Sequence, residues 1–238
     1  ERYSVLKGGE IMKEISCPWC GKPVVEKTWI CKDCGCIIGD SIKAKTKGDI
    51  TYIFSLDEGK KYKFKIEGKK LVAIYDSNMW YDDAKNLEIP NGVETIGKSA
   101  FAHCQACSFQ LSSIKIPKSV KFVEEGAFSC HEGKFIVEDD CEAVRFIDGI
   151  LYSGDGKLLI KATRRVVGKN IVIPEGVERI GIKAFVRLPP KTIKFPETLK
   201  SVGEDAFSAC RFQSIELPES IEIIEKDAFS TSEIKEIY

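Results

Sequence analysis

Four cysteines carry the clearest chemistry in the sequence. Cys17-Pro18-Trp19-Cys20-Gly21 and Cys31-Lys32-Asp33-Cys34-Gly35 are two C-x-x-C-G units, with ten residues between Cys20 and Cys31. Two cysteines three apart on a tight turn present both sulfurs on one side, and the glycine that follows permits the positive φ such a turn needs. Two such turns facing each other offer four thiolates, Cys17, Cys20, Cys31 and Cys34, to a tetrahedral Zn2+. Four thiolates leave no open position for water, so the zinc expected here is structural rather than catalytic. Reduced buried thiols or two local disulfides are the alternative reading. Cys36 could compete with Cys34, but a small buried residue is the simpler account of it.

The paired units resemble the zinc-ribbon family over about residues 15–36. Such a metal holds together a segment too small to fold on its own core, with apparent binding energies of about 10–16 kcal/mol in small zinc modules. A thiolate site suits a reducing compartment. A further C-x-x-C, Cys104 to Cys107, stands beside His103 and could be redox-active, or form a second metal site with Cys130 and His131. A cysteine shortly after an Ala-Phe pair recurs at Cys210 and nearly at Cys130, which favours a repeated packing position instead.

Composition narrows the remaining chemistry. The 238 residues carry 36 Lys+Arg and 36 Asp+Glu, so no global field steers the chain to nucleic acid or an anionic membrane. With only two histidines, a His-dependent triad has little material. No phosphate loop and no supported carboxylate pair stand out. No run of about 18 apolar residues is present, and residues 1–14 lack the apolar centre of a signal peptide. Cytoplasm is the expected location, with the cell surface as the alternative if an export signal has been removed. Residues 1–14 read as a tail, and Met12 is a candidate for the biological start.

The elements that would position these groups follow. Ile50–Leu56, Lys61–Ile66 and Leu71–Tyr75 are β-branched and aromatic runs separated by Gly-containing turns, which predicts a three-stranded meander. Its middle strand alternates Tyr62, Phe64 and Ile66 with Lys61, Lys63 and Lys65, a solvated or charged-edge face rather than a phosphate reader. Met79-Trp80-Tyr81 would plug the open end of what comes next.

From Leu87 onward a single pattern recurs: apolar-x-apolar-Pro, then Val and Ile three apart, then Ala-Phe. Its copies are Leu87 to Phe101, Ile114 to Phe128, Ile171 to Phe185, Ile193 to Phe207 and Ile215 to Phe229. Pro174, Pro196 and Pro218 are 22 residues apart, a solenoid period. No unit buries its apolar side alone, so the units must stack, with apolar-x-apolar as short strands ended by proline and the phenylalanines laddered between rungs. Pro117 and Pro174 are 57 residues apart, so residues 130–170 hold an enlarged rung with a hairpin near Ser153 to Gly156.

These motifs, with Phe146 to Lys157, closely resemble the BspA-type leucine-rich-repeat family of bacteria and some protists over about residues 84–238. The resemblance implies a right-handed leucine-rich-repeat solenoid with a parallel β-sheet on its concave face and a mostly β or irregular convex side. Zinc ribbon and antiparallel β meander precede it. The organisation expected is a tail (1–14), a ribbon (15–36), a β-rich cap (37–86) and the repeats (87–238). The resemblance implies a binding or adhesion module with no catalytic residues to carry over.

The strand residues expected to face a partner are Glu88, Ser113, Lys115, Asn170, Val172, Thr192, Lys194, Ser214 and Glu216. They form a mixed polar ladder suited to a protein or glycan surface. The expected function is therefore a non-enzymatic interaction module. A nucleic-acid-binding zinc ribbon, a surface adhesin and a thiol oxidoreductase at Cys104 and Cys107 are the competing readings. The final residues start a sixth strand, and its open edge invites self-association.

Overall fold

In this computed structural model residues 2–5, 11–16, 23–25, 42–47, 50–57, 60–76, 86–101 and 111–237 are described, with side chains from Phe64 onward except at 75, 76, 213, 233 and 235–237. Each apolar-x-apolar segment is a strand that turns its apolar pair inward. Leu87, Ile89, Ile114, Ile116, Phe135, Ile171, Ile173, Ile193, Phe195 and Ile215 are all buried. Asn86–Glu88, Ser113–Ile116 and Lys134–Val137 pair in parallel, and register sets Leu87, Ile114 and Phe135 side by side. Asn170–Val172 pairs with Thr192–Lys194, and Arg211–Ile215 with Glu233–Ile237. The stack is a β-solenoid of about six turns.

The expected single parallel sheet is thus corrected to three hydrogen-bonded segments. A second correction concerns the Val and Ile that follow each proline. The first of each pair lies in the turn, but the second, with the residue before it, forms another parallel ladder of two-residue strands rather than simply turning the chain. Thr95–Ile96 and Phe122–Val123 continue from Lys70–Asp76, while Arg179–Ile180, Ser201–Val202 and Ile223–Ile224 continue from Leu158–Ala162. Glycine lets these rungs approach. A Cβ on Gly203 would stand 2.9 Å from the Gly181 carbonyl carbon, and one on Gly97 would stand 2.9 Å from the Leu71 carbonyl oxygen.

The step before each Ala-Phe is equally uniform. Ser99, Gly126, Lys183, Asp205 and Asp227 all have φ between +54° and +77°, so the chain turns through the left-handed region at the same point of every rung. The alanine behind it is buried, and its carbonyl accepts a bond from the preceding rung, as in Phe185 N–H to Ala206 O at 2.7 Å and Phe207 N–H to Ala228 O at 2.7 Å. The rings then ladder. Phe185, Phe207 and Phe229 stack at 5.0 and 5.2 Å, and Phe101 meets Phe128 at 4.9 Å.

The enlarged rung explains why both ladders break. Val144–Ile147, Ile150–Ser153 and Leu158–Ala162 form an antiparallel unit whose last strand takes the place of a rung. Ala162 N–H donates to Ala184 O, as Phe185 N–H does to Ala206 O, so Ala162 takes the phenylalanine position of this rung. Ala162 and the Thr163 that follows it are fully buried, and Thr163 donates to Gly149 O, leaving no ring to bridge Phe128 and Phe185. Residues 42–76 repeat this build. Ile42–Lys47, Ile50–Asp57, Lys60–Glu67 and Lys70–Asp76 pair antiparallel, and the last strand starts a ladder. The register shift opposite Val72 matches the one opposite Ile160, and Gly68 and Gly156 are both left-handed. Arg2–Val5 and Ile11–Ser16, in the stretch read as a tail, pair with each other, and Ile11–Ser16 pairs with Pro23–Val25.

Candidate interaction surface

The strand face differs between its two halves. In the first, Ser113 is buried and its hydroxyl donates to Asn86 Oδ1 at 2.6 Å. Lys115 is half-buried between Glu88 at 2.7 Å and Glu138 at 2.9 Å. Hydrogen bonds to Glu88 and then Glu138 raise the Lys115 pKa above the usual lysine value. For Glu138 burial opposes ionisation, but Lys115 and the Lys118 N–H outweigh it and hold the carboxyl low. These polar groups are spent on one another, and Ile136 beside them is 41% exposed. In the second half Asn170, Val172, Thr192, Lys194, Ser214 and Glu216 are all exposed, Val172 by 68%. Their only internal bond among the described residues is Thr192 Oγ1 to Asn170 Oδ1 at 3.0 Å. Glu88 is exposed and bound to Lys115.

Rows of alternating charge run across the second ladder. Glu94 sits between Lys69 and Lys121, and Glu178 between Lys157 and Lys200. The flanking lysines hold both carboxyls below the ordinary range. Two further groups tie rungs across the enlarged segment. The Arg179 guanidinium takes both Glu125 oxygens and reaches Ser201 Oγ at 3.0 Å and Glu225 Oε1 at 2.9 Å. Burial opposes the Arg179 charge, yet Glu125 and Glu225 raise its pKa. Lys161 is 1% exposed, and its ammonium donates to Lys183 O at 2.7 Å and Ser129 O at 3.2 Å. Burial lowers its pKa to about 8, against the nearby acidic groups of Glu132, Cys130 and Cys210.

The other sulfur and imidazole groups divide by position. His131, Leu188 and Cys210 each donate their backbone N–H to the phenylalanine three residues earlier, and all three are buried. The repeated packing position is therefore held by His131, not by Cys130, which is half-buried. The His131 ring lies edge-on to Phe135 at 4.9 Å. Cys210 donates to Phe185 O at 3.1 Å, and burial pushes its thiol up to about 11, far from a reactive thiolate. Among the described residues no group of three or more His, Cys, Asp or Glu could hold a metal. Cys17, Cys20, Cys31, Cys34, Cys36, His103, Cys104 and Cys107 lie outside the described residues, as do Met79-Trp80-Tyr81.

The profile of the BspA type leucine rich repeat region matches residues 72–139 and 167–238, in six copies. The chain belongs to the BspA-type leucine-rich-repeat family. No curated protein matches it. Its fold is shared by a leucine-rich repeat protein from Eubacterium ventriosum, at TM-score 0.52 and 19% identity over 64% of this chain and 43% of that one. The chain thus spans less than half the length of that relative. The pneumococcal vaccine antigen PcpA matches at TM-score 0.39 and 16% identity, over 82% of this chain and 77% of that one. A leucine rich cell surface protein from Faecalibacterium prausnitzii matches at 0.38 and 18%, over 82% and 56%. Among the described residues no helix is long and apolar enough to cross a membrane, and the preference for the cytoplasm gains no support from these relatives.

In this BspA-type array the sequence pattern locates the inward residues but not the groups that bind rung to rung. Arg179 and Lys161 were both missed. Arg179 sits between inward Val177 and Ile180 like any solvated strand residue, and Lys161 follows two buried apolar positions, Leu159 and Ile160, in the hairpin. A signal for Arg179 exists in retrospect. The second residue after the ladder aliphatic Val123 is Glu125, and the first after its counterpart Ile224 is Glu225, the two acids the guanidinium joins.

Proposed function

We propose that the chain is a non-enzymatic module whose solenoid binds another protein through the strand face of its later rungs. The observation that carries this reading is the row of exposed, in-register side chains at Asn170, Val172, Thr192, Lys194, Ser214 and Glu216. Val172, 68% exposed on a strand, is a costly residue to leave in water, and covering it on binding supplies apolar area beside polar groups that set specificity. Quantitative pull-downs comparing the parent with a Lys194→Glu/Glu216→Lys variant test it. Partners lost or depleted with the variant support the assignment, and an unchanged partner set overturns it.

The same reading includes a structural zinc on Cys17, Cys20, Cys31 and Cys34. Ser16 faces Pro23 across an antiparallel pair, so residues 17–22, which include Cys17 and Cys20, connect two paired strands. A C-x-x-C-G turn suits that place, and four thiolates suit zinc. The zinc supports a reducing compartment and hence the cytoplasm, with a surface location as the alternative. Native mass spectrometry of protein purified under reducing conditions should give one zinc per chain, lost on Cys17→Ser/Cys20→Ser substitution. Substoichiometric metal in the parent overturns it.

A further inference from the structure

The formal charge of the whole chain is zero, yet residues 156–196 hold ten Lys and Arg and only two acids, Glu175 and Glu178. Four of these cations, Lys157, Arg164, Arg179 and Lys183, are ion-paired, and Lys161 is buried. The other five, Arg165, Lys169, Arg187, Lys191 and Lys194, are exposed and make no ion pair among the described residues. The 22-residue repeat puts Arg165 and Arg187 at one rung position and Lys169 and Lys191 at another. Lys191 N–H donates to Lys169 O at 2.7 Å, so the two lysines sit on adjacent rungs. Elsewhere the rungs alternate Lys, Glu, Lys along a row. Here like charge is stacked on like charge, which costs stability unless an external anion is bound. Val167, 46% exposed, and Val172, 68% exposed, lie within this corner.

A surface of opposite character exists on the same chain. The turn after Lys134–Val137 exposes Asp139, Asp140 and Glu142, none of them ion-paired among the described residues. Exposed Ile136 and Ile147 flank it at 41% and 49%. Each surface mixes β-branched apolar side chains with uncompensated charge, and the signs are opposite.

We propose that the array self-associates, the basic corner of one copy receiving the acidic turn of a second copy. Polyphosphate chains fit the corner less well, because Val167 and Val172 would face phosphate rather than apolar area. The contact overlaps the strand face of the proposed function at Val172 and Lys194 and rests on that reading only in competing with an outside partner there.

Sedimentation velocity of the full chain over a concentration series tests this. At low salt the parent should associate with rising concentration, and high salt should dissociate it, because the attraction is between exposed charges. Arg187→Glu/Lys191→Glu and Asp139→Lys/Asp140→Lys should each weaken association about tenfold or more. An equimolar mixture of the two should restore it, since each reversed surface then meets its complement. Far-ultraviolet circular dichroism verifies that each variant keeps the parent fold, and Arg165→Glu/Lys169→Glu replaces a variant that does not. A parent that stays monomeric at low salt, association that survives both reversals, or a mixture that stays monomeric overturns the proposal. Those outcomes leave the outside partner of the strand face untouched, because the pull-downs read it separately.

Discussion

The Arg179 guanidinium holds the Glu125 carboxylate in a two-pronged bond, with nitrogen–oxygen distances of 2.9 to 3.1 Å across 54 positions of sequence. Glu125 also accepts the Ile182 N–H at 2.9 Å. The pair therefore closes the solenoid over the enlarged rung, where the phenylalanine ladder is interrupted at Ala162. Arg179→Ala should cost about 2–3 kcal/mol in urea unfolding, because planar charge-assisted bonds to Glu125 and Glu225 are lost and the acids are left half-buried. Arg179→Lys should recover only part, since an ammonium cannot reproduce the fork. A double-mutant cycle with Glu125→Ala should show coupling well above experimental error. Additive losses would mean that the pair does not join the two parts.

Lys161 gives the protein a pH signature. Its pKa is about 8 folded against an ordinary 10.5, so between those values the unfolded chain binds a proton that the folded chain has released. Stability then rises with pH through that window, by about 3 kcal/mol at most, as each unit is worth about 1.4 kcal/mol. Cys210, raised to about 11 from 9.0 by burial, acts in the opposite sense: its contribution is present below pH 9 and is lost as pH rises through 11. Tyr152, raised to about 12 by burial and then Asp148, does the same at higher pH. The informative quantity is therefore the difference between the parent and Lys161→Met, measured by denaturant unfolding from pH 7.5 to 10.5. That difference should change in favour of the parent as pH rises, because the charge cost disappears while the bonds to Ser129 O and Lys183 O remain. A flat difference would place the amine in contact with water.

How far the sequence reached depends on the range of the interaction. The 22-residue spacing of Pro174, Pro196 and Pro218 and the Ala-Phe pairs report local geometry, so strand positions and inward residues followed from them. The second ladder did not, since two residues per rung give no alternation to read. Lys161 escaped because Leu159, Ile160, Lys161 and Ala162 are all buried in sequence, the register shift opposite Ile160 having cancelled the two-residue period. The basic corner escaped because its cations are 22 residues apart and become neighbours only when the rungs stack.

Phe207 should be the most costly single ring to remove. It stacks on Phe185 and Phe229 and meets Phe195 and Phe212 edge-on at 5.9 and 5.7 Å, with no exposure of its own. Phe207→Ala should cost about 3–5 kcal/mol, and the loss should lie at the upper end because four rings cannot all collapse into one cavity. Phe229→Ala, removing a half-exposed ring with a single ring partner, should cost less. Urea midpoints in the reverse order would show that the ladder is not the organising contact of these rungs.

The left-handed residue before each Ala-Phe offers a test with opposite signs at equivalent positions. Gly126 adopts φ +77°, and an added Cβ would meet nothing closer than Ser129 Oγ at 3.4 Å, so space is adequate and only the backbone objects. Gly126→Ala should therefore cost about 1–2 kcal/mol, the penalty of a Cβ in the left-handed region. Lys183 occupies the same position of another rung at φ +55° and already bears that penalty. Its ammonium makes only a long, partly exposed pair with Asp205 at 3.7 Å, which contributes little. Lys183→Gly should stabilise by about 1 kcal/mol, the relief of strain being offset in part by the greater freedom of glycine in the unfolded chain. The backbone bond from Lys183 N–H to Glu204 O at 2.9 Å and the carbonyl that receives Lys161 are both unaffected by the change. Thermal unfolding of the two variants beside the parent decides the matter: shifts of the same sign would mean that the turn is not under the constraint that its five copies share.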